Sequence, residues 1–188
     1  MKILVLSGSP RKNGDSMTMA RQLCACLGGD VTVFHAYDGG VSPCIACGGC
    51  ERGSGCPLAD GGADLLKQIN EADVIVLASP VYFSDLTGPL ISAASRLQYL
   101  WMRRRAGEVL LTPKERRGVI LLAGGGNGKP DRALANARCY LHQLGVQICA
   151  EICSLDTDRT PASEDAAAMA AIQETAERIR GGALGNPF

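Results

Sequence analysis

Ile3-Leu4-Val5-Leu6-Ser7-Gly8-Ser9-Pro10-Arg11-Lys12-Asn13-Gly14-Asp15-Ser16 is the stretch on which the fold turns. It opens with a strand-length apolar run containing β-branched Ile3 and Val5. A polar loop rich in glycine and hydroxyl groups follows, and Met17 to Leu27 then carries a helical pattern. The same unit recurs along the chain. Further apolar runs at Val31 to Phe34, Val74 to Ala78, Val119 to Ala123 and Val146 to Ile152 read as strands. Helical patterns follow at Ala63 to Ala72, at Leu90, Ala94, Leu97 and Trp101 behind Pro89, at Leu134 to Leu144 and at Met169 to Ile179. Asp131 and the Ser163-Glu164-Asp165 run stand where the last two helices should start.

Five alternating βα units imply a parallel sheet covered by helices on both faces, with right-handed crossovers. The fold expected is α/β, a flavodoxin-like doubly wound five-stranded parallel sheet, whose ligands bind beyond the carboxyl ends of the strands at the switch point between strands one and three. Function is therefore sought in the loops after Leu6, Ala78 and Ala123. Residues 1–180 read as a single domain with a cysteine-rich insertion loop at 42–60, and residues 181–188 as a short C-terminal tail.

The 188 residues carry 19 Lys plus Arg against 19 Asp plus Glu, so no net field collects nucleic acid or anionic lipid. Neither nucleic acid nor membrane is expected as a partner. The start, Met1-Lys2-Ile3-Leu4-Val5-Leu6, lacks the features of a signal peptide, and a cytoplasmic location is expected. Nine cysteines then point to metal or redox chemistry rather than to a disulfide framework.

The first loop offers backbone N–H groups and the positive end of a helix dipole to an anion, with hydroxyls from Ser9, Ser16 and Thr18 and the charge of Arg11 beside them. It has no G-x-G-x-x-G, so a terminal phosphate monoester suits it better than a pyrophosphate. In the second loop, Ser79-Pro80-Val81-Tyr82-Phe83-Ser84, aromatic and apolar side chains can pack on a planar ring while main-chain N–H groups meet its polar edge. The third, Gly124-Gly125-Gly126-Asn127-Gly128-Lys129-Pro130, fails the P-loop spacing, and Pro130 stands where Ser or Thr should hold magnesium. Its use is close backbone approach to the same ring or to an incoming nicotinamide.

Cys44, Cys47, Cys50 and Cys56 form a C-x2-C-x2-C-x5-C run. Four thiolates converging on a small volume suit a [4Fe–4S] cubane, with the neighbouring glycines relieving backbone crowding. Zinc is the alternative metal, and a metal-free loop is the third reading. Cys24, Cys26, Cys139, Cys149 and Cys153 read as packing thiols, His35 and His142 as structural or exposed. Arg103-Arg104-Arg105 reads as a basic helix C-terminus that could also attract an NADPH phosphate.

Taken together, Gly8-Ser9-Pro10-Arg11 through Ser16, the cysteine run, Ala72-Asp73, Ser79-Pro80-Val81-Tyr82-Phe83 and the glycine loop at Gly124 to Gly128 resemble the NAD(P)H-dependent FMN reductase superfamily, nearest to its iron–sulfur flavoprotein branch. The resemblance implies FMN as cofactor and homodimers or homotetramers. It assigns Ser9, Arg11, Ser16, Met17 and Thr18 to the FMN phosphate, Pro80, Val81, Tyr82 and Phe83 to the isoalloxazine, and Gly124 and Gly125 to the far edge of the ring. It makes Cys44, Cys47, Cys50 and Cys56 the ligands of a [4Fe–4S] cluster. Three positions depart from the family: Asp15 stands where Asn is frequent, and Ile91 and Ser95 replace a Lys and an Asp, which leaves Arg96 without that neighbour.

The activity expected is an FMN-dependent oxidoreductase that takes electrons from NAD(P)H or a ferredoxin-like donor and passes them to a small-molecule or protein acceptor. The flavin supplies the chemistry, so no catalytic acid or base is assigned. The alternatives are an FMN electron carrier with no substrate of its own and a zinc or thiol sensor on the same scaffold.

Overall fold

The computed structural model of the chain describes residues 1–53 and 55–182. Strands β1 (Lys2–Ser7), β2 (Asp30–His35), β3 (Val74–Pro80), β4 (Arg116–Ala123) and β5 (Val146–Ser154) form one parallel sheet in the order β2-β1-β3-β4-β5. This is the doubly wound order expected, and the direction of winding reverses between β1 and β3.

Strand periodicity of two divides the core between the two faces of the sheet. Ile3, Val5, Val74, Val76, Val119 and Leu121 point towards α1 (Asp15–Leu27) and α6 (Ala166–Arg180). Leu4, Leu6, Ile75, Leu77, Ile120 and Leu122 point the other way, towards α2 (Gly62–Glu71), α3 (Gly88–Ala94), α4 (Leu97–Arg105) and α5 (Asp131–Gln143). Because β1, β3 and β4 are covered on both faces, they read as continuous apolar runs. The edge strand β2 keeps Val31 and Val33 exposed on its outer half. Among the described residues no helix is long and apolar enough to cross a membrane.

The helix expected from Leu90 to Trp101 is broken in two. The Ser95 hydroxyl donates back to the Ser92 carbonyl at 2.6 Å, and the N–H groups of Arg96 and Gln98 bond three residues back, to Ala93 and Ser95. Tightening to three-residue spacing ends α3 at Ala94 before α4 starts at Leu97. At α6 the cap is Asp165, whose carboxylate accepts the Ala168 N–H at 3.0 Å. Asp131 lies inside the first turn of α5 rather than capping it. Gly181 and Gly182 form a turn after α6; the rest of the expected tail, 183–188, lies outside the described residues.

Cys139 is exposed rather than packed. Burial on α5 follows Ala133, Ala137 and Leu141, four residues apart, which leaves position 139 on the far side of the helix. Cys24 is buried, and Cys26, Cys149 and Cys153 are half-buried.

Candidate functional site

The carboxyl ends of β1, β3, β4 and β5 enclose a cleft of about 240 Å3 whose lining includes Ser9, Arg11, Ser16, Tyr82, Gly125 and Asp158. The first loop is clamped on arrival. The Gly8 N–H donates to the Ala78 carbonyl at 2.8 Å, and the buried Thr87 hydroxyl donates to the Gly8 carbonyl at 2.8 Å. A Cβ on Gly8 would lie 2.7 Å from Ser79 Oγ and 2.9 Å from Leu90 Cδ2, so this glycine serves packing rather than ligand approach.

Past the clamp, Ser9 Oγ donates to the Arg11 carbonyl at 2.8 Å and accepts the Arg11 N–H at 3.2 Å, which shapes the turn from within. Helix α1 has Gly14 as its N-cap and so no side-chain cap. The N–H groups of its first turn therefore have no acceptor within the helix, and they open towards the cleft beside buried Ser16. An anion fits that position. Two of the expected phosphate contacts are absent from the lining. The Met17 side chain is 4% exposed and packs in the core, and the Thr18 hydroxyl donates back to the Gly14 carbonyl at 3.2 Å. Asp15 turns one carboxylate oxygen away, to the Ala162 N–H at 3.0 Å.

The second loop continues the sheet, with the Val81 N–H donating to the Ala123 carbonyl at 2.8 Å. Tyr82 and Asp85 then exchange two backbone bonds of 2.9 and 3.0 Å around Phe83 and Ser84, whose φ angles are 52° and 64°. Left-handed conformation at both central positions is the type I′ pattern, which favours Asn-Gly. Pro80, Val81 and Tyr82 line the cleft; Phe83 does not, because the turn carries its ring wholly into solvent.

In the third loop the Gly124 carbonyl accepts both the N–H and the hydroxyl of Thr157, at 2.9 and 3.2 Å. Gly125 faces the cleft, where a Cβ would meet the Asp158 carboxylate at 2.6 Å. Thr157 and Asp158 belong to a fourth wall, the loop after β5, that the sequence reading did not include. Its signal was present: Leu155-Asp156-Thr157-Asp158 follows the carboxyl end of a strand, where ligands of such sheets bind. The cleft thus offers N–H donors and Arg11 at one end and an apolar, aromatic and glycine wall beside them, a fit for a ligand with a phosphate and a flat ring.

The four loop cysteines share a second cavity, of about 490 Å3, formed between the insertion loop and α4. The two cavities have no lining residue in common. Left-handed Ala46 and Gly48, at φ 52° and 70°, turn the chain between Cys44 and Cys50. Each cysteine is held by a polar partner: Ser95 Oγ accepts the Cys44 N–H at 2.8 Å, Arg52 donates to the Cys47 carbonyl at 3.1 Å, Arg103 to the Cys50 carbonyl at 3.0 Å, and Arg96 to Cys56 Sγ at 3.1 Å. All four thiols are free of disulfides. Among the described residues no three His, Cys, Asp or Glu side chains converge as on a single ion. The four thiols line this one cavity without converging on a point.

The basic run on α4 has internal uses. Arg103 is buried and paired with Glu108, Arg104 donates to the Gln143 carbonyl at 3.0 Å, and Arg105 lies 4.8 Å over the Trp101 ring. Arg96 finds its carboxylate in Asp60, at 2.7 Å. Burial raises the Asp60 pKa, but the Arg96 guanidinium and the N–H groups of Ser42 and Gly62 outweigh it and hold the carboxyl well below the usual range.

Residues 1–160 match the NADPH-dependent FMN reductase family. An iron–sulfur flavoprotein of Methanocaldococcus jannaschii is 30% identical over 125 residues, which is 63% of this chain and 65% of that protein. An iron–sulfur flavoprotein of Methanosarcina thermophila is 27% identical over 188 residues, 95% of this chain and 93% of that one. Among solved structures, an NAD(P)H:quinone oxidoreductase from Methanothermobacter marburgensis superposes with a TM-score of 0.67 at 16% identity, covering 96% of this chain and 97% of that one. A flavone reductase gives the same TM-score and identity over 96% of this chain and 63% of that one. At such identities the likeness is one of fold.

Proposed function

We propose that this chain, which belongs to the NADPH-dependent FMN reductase family, is an FMN-dependent electron-transfer oxidoreductase carrying a [4Fe–4S] cluster in its cysteine loop. The observation that carries the flavin reading is the uncapped start of α1, opening beside Ser16 and Arg11 into a cleft walled by Pro80 to Tyr82 and Gly125. First-turn N–H groups, the Ser16 hydroxyl and Arg11 would hold the phosphate, and Met17 would contribute through its backbone alone. Val81 and Tyr82 would flank the isoalloxazine, and the glycine loop would let the backbone approach its far edge.

FMN, when bound, would supply the redox chemistry between NAD(P)H or a ferredoxin-like donor and a small-molecule or protein acceptor. The chain's residues bind and orient it, and none is needed as acid or base. Cys44, Cys47, Cys50 and Cys56 would ligate the cluster. Relatives named iron–sulfur flavoproteins favour this reading over zinc, and the guanidinium groups around the shared cavity suit an anionic thiolate site. The assembly proposed is a homodimer or homotetramer in the cytoplasm.

The test is an anaerobic ultraviolet–visible spectrum with iron and acid-labile sulfide analysis. Flavin bands with about four irons per chain, as one cubane on four thiolates requires, are expected. Protein purified without flavin that also fails to bind added FMN defeats the oxidoreductase reading. Flavin without iron leaves a plain FMN reductase. If nicotinamides fail to reduce the flavin while a ferredoxin succeeds, the chain is an electron carrier.

A further inference from the structure

The cysteine loop leaves the fold and returns to it through one neck, where the Gly61 N–H donates to the Gly40 carbonyl at 2.8 Å and an ion pair adds a second closure. Asp60 Oδ2 accepts the Ser42 N–H at 2.8 Å from the outgoing side, and Asp60 Oδ1 accepts the Gly62 N–H at 2.9 Å on the return. Arg96, just ahead of α4, donates through Nη1 to Asp60 at 2.7 Å and to the Ser42 carbonyl at 3.1 Å. Its other arm, Nη2, reaches Cys56 Sγ at 3.1 Å. The two side chains are only 11% and 17% exposed, so water screens them weakly.

Cys56 differs from the other three loop cysteines. The polar groups that hold Cys44, Cys47 and Cys50 bond to their backbone, whereas Arg96 bonds to the sulfur of Cys56. A guanidinium suits this place because one rigid fork serves a carboxylate and a sulfur together; an ammonium on a flexible stem does not.

We propose that Arg96, held in place by Asp60, is a positioning residue that sets the reduction potential of a cluster ligated by Cys44, Cys47, Cys50 and Cys56, with the Asp60 carboxylate opposing its charge. The inference rests on the cluster reading above. Adding one electron to an anionic cluster adds one negative charge, and a fixed cation donating an N–H to a ligand sulfur stabilises that charge. Arg96 therefore raises the potential and Asp60 lowers it. The two residues share one structural task, closing the neck, but their electrostatic effects have opposite sign.

That opposition gives the experiment. Wild-type protein and the variants Arg96→Gln, Arg96→Lys and Asp60→Asn are purified anaerobically, assayed for iron and sulfide, and titrated with dithionite, which is oxidised to sulfite as each cluster takes one electron and each FMN two. Midpoints are read by electron paramagnetic resonance. Arg96→Gln is expected to lower the ratio of reduced to oxidised cluster at a fixed potential about tenfold, equivalent to a midpoint ~59 mV more negative for a one-electron couple. Asp60→Asn leaves the guanidinium uncompensated and should move the midpoint the other way. Arg96→Lys, with the charge but not the fork, should fall between Arg96→Gln and wild type.

Midpoints that stay put, or that move in the same direction for Arg96→Gln and Asp60→Asn at full iron content, overturn the proposal and reduce the pair to a structural latch. If Arg96→Gln loses its iron, Arg96→Lys compared with Asp60→Asn decides on the same criterion. Wild-type protein that takes up no iron or sulfide overturns the cluster reading itself, and with it this inference, before any substitution is made.

Discussion

Asp15 Oδ1 accepts the Ala162 N–H at 3.0 Å, joining the first turn of α1 to the loop before α6. The bond explains how a carboxylate stands beside an anion site: one oxygen is committed elsewhere, and the helix dipole favours the charge. The charge still repels a phosphate. Asp15→Asn keeps the accepting oxygen and removes the charge, and it should tighten FMN binding roughly fivefold, ~1 kcal/mol at short range in water. Fluorescence titration of FMN-free protein measures this. Weaker binding in the variant would mean that the phosphate does not sit at this end of the cleft.

Two glycines should answer differently to the same substitution. A methyl on Gly8 meets Ser79 Oγ, Leu90 Cδ2 and Thr87 Oγ1, all within 2.9 Å and all in buried residues. Gly8→Ala should cost about 1–3 kcal/mol by overpacking, lowering Tm by roughly 2–4 °C per kcal/mol in a chain of this size. The three atoms nearest a methyl on Gly125 all belong to the carboxylate of exposed Asp158, which can swing aside. Gly125→Ala should hold its stability within ~0.5 kcal/mol and weaken FMN binding by narrowing the wall. Calorimetric melting and FMN titration of the two variants separate packing from ligand approach, and identical behaviour would erase the distinction.

Thiol chemistry gives a prediction in pH. Burial pushes the Cys24 thiol up to about 11, and it does the same for Cys153, with Glu151 and Asp131 adding to the effect. The thiolate is the nucleophile, so at pH 8 roughly one molecule in a thousand is reactive at either position. Iodoacetamide on metal-free protein should label exposed Cys47, Cys56 and Cys139 first. Cys24 and Cys153 should react only as the pH approaches 11. Peptide mapping by mass spectrometry reads the order, and early adducts on Cys153 at pH 8 would show that β5 is more open than described.

The sheet was legible because burial on both faces turns β1, β3 and β4 into unbroken apolar runs, and the strand order then follows from winding rules. The lining of the candidate cleft was legible only where one loop speaks for itself, as at Ser9, Arg11, Ser16 and Gly125. What escaped depends on partners distant in sequence. Nothing local says that Arg96 meets Asp60, 36 residues away, or that Arg103 meets the Cys50 carbonyl, 53 residues away. Side-chain direction escaped as well: Met17 and Thr18 follow Ser16 in the sequence, but helical rotation sends one into the core and the hydroxyl of the other back to Gly14. The break between α3 and α4 escaped because apolar spacing continues across it while Ser95 diverts the backbone.

The turn at Phe83 and Ser84 supports a final prediction. Two consecutive left-handed residues that are not glycine cost about 1–2 kcal/mol each, and the surroundings hold the turn there. The Ser84 carbonyl accepts the Ala133 N–H at 3.0 Å, and Asp85 Oδ1 accepts the Leu86 N–H and the Asn136 amide, both at 2.7 Å. So firm a frame around a strained tip presents the Phe83 ring to solvent beside the Tyr82 wall of the cleft. Strain maintained in this way is characteristic of ligand clamps. Replacing the tip with Phe83→Asn and Ser84→Gly together installs the residues a type I′ turn favours and should raise stability by about 1–2 kcal/mol, or several degrees in Tm. If the ring meets an incoming donor or acceptor, the stabilised variant should show a raised KM for that partner while its FMN affinity stays near that of wild type. A higher Tm with unchanged kinetics towards every donor and acceptor tried would mean that the exposed ring plays no part in the reaction.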